Sequence, residues 1–162
     1  MKTLYLVRHA KSSWAFSMSD HDRPLGPRGR RDLKKLSKFT SEQIPAPDLI
    51  ITSTASRALY TALHFADHWN YPEEKIITDR RLFHASTGDI QKLLHEHHQE
   101  NTLAIFGHNP GFTDFNNQMS HDPIDNIPTC GIMGIGFEID SWRQFGQKRG
   151  KRLFFHAPKL LV

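Results

Sequence analysis

Three short runs of apolar and β-branched residues stand out along the chain, and each ends abruptly at a cation or a base. Lys2-Thr3-Leu4-Tyr5-Leu6-Val7 gives way to Arg8-His9-Ala10. Leu49-Ile50-Ile51-Thr52-Ser53 runs into Arg57, and Thr102-Leu103-Ala104-Ile105-Phe106-Gly107 runs into His108. Runs of this length and composition predict buried strands. Ligands of open α/β sheets bind beyond the carboxyl ends of parallel strands. Parallel pairing of these three would therefore bring Arg8, His9, Arg57 and His108 to one sheet edge.

Between the strands the apolar period changes to that of a helix. Pro27 opens a helix at a position where its missing N–H costs nothing, predicted to run to about Phe39 with Leu33 and Leu36 turned inward. Ser53 or Thr54 caps a second helix reaching about Trp69, with Leu59, Ala62, Leu63 and Ala66 as its apolar face. Ile76-Ile77 reads as a short strand. Ser86, followed by Asp89 three residues later, is a capping box for a helix over Gly88–His98. Asn109 reads as an N-cap and Pro110 as the first residue of a helix to about Met119. Gly131–Ile139 is a glycine-rich strand, and Arg152–His156 a final one returning antiparallel across the Ser141–Gly150 turn. The segment Lys11–Pro27 has no sustained period, so it is a long loop over the site. Lys11 and Arg23 are its charges expected to reach a bound anion. Trp14 and Phe16 are expected to pack against the body as a lid.

Composition narrows the class. A chain of 162 residues, 38% hydrophobic and 23% charged, suits one domain spanning residues 1–162. The net charge of +4 favours anionic partners. The basic run from Arg28 to Lys38 has Leu33 and Leu36 at helical spacing, so it reads as a solvated helix face and no nucleic acid is expected. Cys130 is the single cysteine, which excludes an internal disulfide. No apolar stretch approaches a signal core or a membrane span, and the expectation is a cytoplasmic, monomeric protein.

Two arginines and two histidines at strand ends make a cationic pocket suited to a tetrahedral oxyanion, most naturally a phosphoryl group. Arg8-His9-Ala10 on the first strand resembles the Arg-His-Gly or Arg-His-Ala motif of the histidine phosphatase superfamily, the phosphoglycerate-mutase-like proteins. Asp22-Arg23-Pro24-Leu25 with Gly29, Ser53-Thr54-Ala55-Ser56-Arg57-Ala58, Gly107-His108-Asn109-Pro110-Gly111 and Pro128-Thr129 resemble its small, SixA-like branch. These matches run from Lys2 to Leu160. The resemblance implies a three-layer α/β/α sandwich with a central mixed, mostly parallel sheet. It also implies a nucleophilic His9 that forms a covalent phosphohistidine, gripped by Arg8 and Arg57 with His108 completing the pocket, and no cofactor.

The departures from the family pattern narrow the substrate. Mutase-like members carry an asparagine where this chain has Ala15, and a proton-donating glutamate where it has Leu82-Phe83-His84-Ala85. Cleaving an alkyl phosphate expels a strongly basic alkoxide and is greatly helped by a general acid. Cleaving phosphohistidine releases an imidazole, whose conjugate acid has a pKa of about 6.5. A phosphohistidine-bearing protein is therefore the first expectation for the partner. A small phosphate ester or anhydride is the alternative, with Asp22, Asp79 or His84 as donor, and a catalytically weak phosphoprotein-binding module is a third. No metal is expected. His95-Glu96-His97-His98 fails the zincin spacing, since Gln99 stands where the second histidine belongs, and the pair His64 and His68 lacks a third ligand.

Overall fold

The three apolar runs become neighbouring parallel strands. The computed structural model describes residues 1–161. Its strands are β1 (Lys2–Arg8), β2 (Leu49–Thr52), β3 (Ile77–Thr78), β4 (Thr102–Gly107), β5 (Ile132–Phe137) and β6 (Lys151–His156). They form one sheet in the order β3-β2-β4-β1-β5-β6. The first four positions are parallel, β5 is antiparallel to β1, and β6 is antiparallel to β5. This is the expected mixed, mostly parallel arrangement. Arg8 lies opposite Gly107 and Thr52 opposite Phe106. His9, Ser53 and His108 therefore leave the sheet at nearly the same level.

Side chains alternate across a strand, so each central strand feeds two cores. Leu4, Leu6, Ile51, Leu103 and Ile105 face one side, where α3 (Thr87–His95) and α4 (Gly111–Met119) supply Ile90, Leu93, Phe112 and Phe115. Tyr5, Val7, Ile50, Ala104 and Phe106 face the other, covered by Leu33 and Leu36 of α1 (Pro27–Gln43) and Ala62 and Phe65 of α2 (Ser56–His68). Each large apolar side chain so buried contributes about 1.5–3 kcal/mol. The result is a three-layer α/β/α sandwich. The cations of α1 (Arg28, Arg30, Arg31, Lys34, Lys35 and Lys38) are all exposed, as an amphipathic helix requires. No helix among the described residues is long and apolar enough to cross a membrane.

The element boundaries show where local signals were overruled. Helix α1 continues to Gln43, because Thr40 is buried and the chain turns extended only at Ile44, just before Pro45. Neither Ser53 nor Thr54 caps α2; Ala55 takes the N-cap position with no side-chain bond, and the Ser53 hydroxyl accepts from the Ala55 N–H. The buried face of α2 is Arg57, Ala58, Thr61, Ala62, Phe65 and Ala66, while Leu59 and Leu63 are only half-buried. The rotation follows from polar bonds made inward. Thr61 accepts from the Ala10 N–H and donates to the Arg57 carbonyl, turning this side of the helix toward β1. The capping box of Ser86 and Asp89 forms as expected, although α3 stops at His95. In α4, Pro110 holds the N-cap position, and the Asn109 Oδ1 one residue earlier accepts from the Thr113 N–H and hydroxyl.

The loop over the sheet edge is pinned at its base. Ser12 bridges Leu25, the Ser13 N–H donates to Pro24, and the Gly26 N–H donates to Lys11. Gly29 packs so closely on Lys11 that a Cβ there would collide with the Lys11 carbonyl. The lid expected from Trp14 and Phe16 does not form. Trp14 is 78% and Phe16 61% exposed, because the loop is tied down at its two ends while its tip projects outward. Trp14 instead carries the Arg23 guanidinium 3.6 Å from its ring centre.

Candidate active site

A pocket of about 290 Å³ opens at the carboxyl edge of β1 and β4, and Arg8, His9, Arg57 and His108 all line it. Strand register brings Arg8 and His9 beside His108, and the first turn of α2 adds Arg57. His9 is 8%, Arg57 3% and His108 4% exposed, so three of the four are buried polar groups that need partners.

The partners of His9 define its tautomer. Its Nδ1–H donates to the Ala10 carbonyl at 2.7 Å, and its Nε2 accepts from Arg57 Nε–H at 3.4 Å. A carbonyl can only accept, so the proton sits on Nδ1 and the Nε2 lone pair faces a guanidinium. Burial pushes the imidazole down to about 3; the Ala10 bond opposes this, and Arg57, Arg8 and Arg23 add to it. His9 is thus neutral at physiological pH, with Nε2 unprotonated. Its backbone carbonyl accepts from the Cys130 N–H at 2.9 Å, which fixes the peptide from behind. Cys130 itself is fully buried, and burial raises its thiol well above the ordinary range, as suits a packing residue.

His108 stands 5.2 Å from His9 between ring centres. Its Nε2 bonds the Ser53 hydroxyl at 2.8 Å, while Nδ1 is buried without a hydrogen-bond partner among the described residues. Burial, with His9 and Arg57 adding to it, pushes this imidazole down to about 2. When the serine donates to Nε2, the proton of neutral His108 lies on Nδ1. Arg8 anchors one guanidinium nitrogen on the Ile127 carbonyl at 2.8 Å, and its buried Nε has no partner among the described residues. The cations lining this one pocket, Arg8, Arg57, Arg23 and Lys11, suit an oxyanion with several acceptor oxygens.

The rim contains a residue that sequence reasoning missed. Asp20 lines the pocket and binds both neighbouring arginines: Arg57 Nη2 reaches its carboxylate at 3.2 Å and Arg23 Nη2 at 2.6 Å. Arg57 Nη1 also donates to the Asp20 carbonyl at 2.5 Å. The bonds from Arg23, then the charge and bonds of Arg57, lower the carboxyl to about 2 against the opposing effect of burial. Its three-residue spacing to Arg23 was a visible signal, lost within a loop that has no period. Arg23 is buried at 6% exposure, bonded to Ser12 as well as to Asp20, and it lines the pocket as expected; so does the exposed Lys11.

The three expected proton donors separate. Asp22 lies outside the pocket, highly exposed and bonded to Ser19 and His21. Asp79 also lies outside it, where its carboxylate caps the turn at Arg81 and pairs with that guanidinium at 2.7 Å. Both are held by local partners within three residues, which is why neither loop carries them inward. His84 does reach the wall, with a left-handed backbone (φ 58°) and its Nε2 3.5 Å from Asp20. No group of three His, Cys, Asp or Glu residues is placed to hold a metal ion among the described residues.

Comparison with known proteins places this geometry. The model of the histidine phosphatase superfamily (branch 1) matches residues 4–121. An uncharacterised protein of Mycobacterium tuberculosis is 35% identical over 107 residues, covering 64% of this chain; the chain spans 63% of that relative's length. A chloroplastic, uncharacterised Arabidopsis thaliana protein is 28% identical over 155 residues, covering 88% of this chain and 70% of its own. Among solved structures, the SixA protein of Agrobacterium tumefaciens superposes with a TM-score of 0.83 at 22% identity, covering 97% of this chain and 98% of its own. A protein histidine phosphatase SixA complexed with tungstate gives 0.81 at 17% identity, with 99% of both chains covered. A mycobacterial glucosyl-3-phosphoglycerate phosphatase gives 0.72 at 13% identity, covering 97% of this chain and 100% of its own.

Proposed function

We propose that this chain, which belongs to the histidine phosphatase superfamily, is a phosphohistidine phosphatase that works through a covalent phosphohistidine on His9. The observation that carries the reading is the fixed tautomer of His9: Nδ1–H is committed to the Ala10 carbonyl, and Nε2 is unprotonated in a cationic pocket. In the first step the Nε2 lone pair forms a bond to phosphorus. The P–N bond of the substrate breaks, and its electron pair returns to the substrate ring, which leaves as neutral imidazole when its other nitrogen carries a proton. In the second step water attacks phosphorus, the Nε2–P bond breaks with its pair returning to Nε2, and orthophosphate leaves with the proton balance taken by solvent. Arg8 and Arg57 offset the charge on the non-bridging oxygens, and His108 completes the pocket. Lys11 and Arg23 extend the positive wall toward the entrance.

The choice of a P–N over a P–O bond rests on the acids of the pocket. The carboxylate lining it, Asp20, is held ionised by two arginines and has no proton to give. An imidazole leaves without such help far more readily than an alkoxide. One observation favours the second reading, a phosphatase for small esters: His84 stands on the wall beside Asp20, where it could protonate a leaving oxygen. Phosphate release from a phosphohistidine protein, a phosphoserine protein, a sugar phosphate and an aryl phosphate separates the two. Selective release from phosphohistidine, lost in His9→Ala, supports the proposal. Faster release from alkyl phosphates that falls in His84→Ala would establish the alternative. Binding without turnover, and no acid-labile phosphate trapped on the chain, would identify a binding module.

A further inference from the structure

The loop between β1 and α1 carries a cluster of exposed apolar residues that the chemistry of the pocket does not use. Trp14, Phe16 and Met18 are 78%, 61% and 50% exposed, three large hydrophobic side chains within five residues at alternate positions. Isolated apolar residues on a surface are ordinary, whereas three in one short loop segment point to a contact that the isolated chain leaves unmade. The tip is built to project. Its base is held by the Ser12–Leu25 bridge and by backbone bonds from Ser13 to Pro24 and from Gly26 to Lys11.

The tip is also continuous with the pocket. Trp14 is part of the pocket wall, and Arg23, stacked on its ring, bonds the same Asp20 that holds Arg57. A substrate with its phosphorus at His9 would occupy the pocket that Trp14 helps to line. A pocket of about 290 Å³ holds a phosphoryl group and the ring attached to it, but not the remainder of a macromolecule. A small phosphate ester would leave Phe16 and Met18 untouched, whereas the surface around a phosphorylated side chain on a folded protein would cover them.

We propose that the tip formed by Trp14, Phe16 and Met18 is the docking surface for a folded phosphoprotein substrate with an apolar patch beside its phosphohistidine. This rests on the phosphohistidine reading of the pocket. The tip supplies affinity and selects among phosphoproteins, while Arg8, His9, Arg57 and His108 do the chemistry.

The test uses the double variant Phe16→Ser with Met18→Ser. Trp14 is left intact because it lines the pocket. Steady-state kinetics would be measured on a folded helical phosphotransfer domain phosphorylated on its histidine, and on free phosphohistidine. The expected result is a fall in kcat/KM of about tenfold or more on the folded domain, carried by KM, with free phosphohistidine unaffected. Unchanged kinetics on both substrates would overturn the docking surface while leaving the phosphohistidine reading in place. Equal losses on both would overturn it too, by making the tip a part of the pocket. Sedimentation of the wild type as a dimer that the variant abolishes, with unchanged kinetics on the domain, would assign the tip to self-association instead. A wild type inactive on both phosphohistidine substrates would overturn the functional reading itself, and the docking surface with it.

Discussion

The floor of the pocket and its rim are held by different physics. Arg8, His9, Arg57 and His108 sit on or next to strand ends whose register is fixed by buried apolar side chains on both faces of the sheet. The rim, residues 11–26, packs little apolar surface at its tip and is organised by a chain of charge: Trp14 under Arg23, Arg23 on Asp20, Asp20 on Arg57. A floor set by strand register tolerates little movement and suits chemistry that needs an aimed nitrogen. A rim set by ion pairs can trade partners when an anion arrives, which suits admission and selection.

The largest effect expected is on the floor. His9→Ala should lower phosphohistidine turnover by at least about 10³-fold, since loss of a covalent nucleophile leaves only binding and electrostatic assistance. Quenching during turnover in alkaline denaturant should trap acid-labile phosphate on the wild type and none on the variant. Residual turnover within tenfold of wild type would mean that another group attacks. Arg57→Ala should follow with a loss of about 10²–10³-fold in kcat, about 3 kcal/mol. That variant crosses the boundary between the regions, because Arg57 touches both His9 and Asp20. A loss confined to KM would place Arg57 with the rim.

The same division explains what could be read in the amino-acid sequence. Strand ends announce themselves through apolar runs that stop at Arg8, Arg57 and His108, and a sandwich built on those runs leaves few other places for them. The acceptor that fixes the His9 tautomer was not legible, because the Ala10 carbonyl is a backbone group carried by every residue. The inward face of α2 was misjudged because Leu59 and Leu63 are strongly apolar, whereas Thr61 turns inward for hydrogen bonds to Ala10, just beyond β1, and to its own helix. Asp20 was not among the expected site residues because only tertiary structure shows which carboxylate meets Arg57. The exposure of Trp14 and Phe16 follows from where the loop is tied, a long-range fact with no local signature.

Acid stability offers a third contrast. Burial depresses His9 to about 3 and His108 to about 2, so the folded state resists protonation where an unfolded histidine, at about 6.5, accepts it. Between pH 6.5 and about 3 the unfolded chain therefore binds more protons, and stability falls as pH falls. Each histidine steepens that fall, by at most about 1 kcal/mol per pH unit. Asp20 acts lower: its depressed carboxyl stabilises the fold above its unfolded value, and that contribution is lost as pH falls from about 3.8 toward about 2. Chemical denaturation at pH 7.0, 6.0 and 5.0 should show stability dropping steadily, with a shallower slope in His108→Gln. Equal slopes would mean that the floor titrates as if exposed.

The smallest effect belongs to the rim and concerns Asp20. Its carboxylate competes with any incoming oxyanion for Arg57 and Arg23, so part of the binding energy of the phosphoryl group is spent on displacing it. The amide of Asp20→Asn keeps the shape and removes the charge. Inhibition by inorganic phosphate should then tighten severalfold, which corresponds to about 1 kcal/mol for a partly exposed pair. Turnover should change less than phosphate affinity, because His9 and its tautomer do not depend on Asp20. If phosphate inhibition weakens instead, the carboxylate is positioning the two arginines rather than competing with the ligand. The rim would then belong to the preorganised floor, and the distinction between the two regions would fail at Asp20.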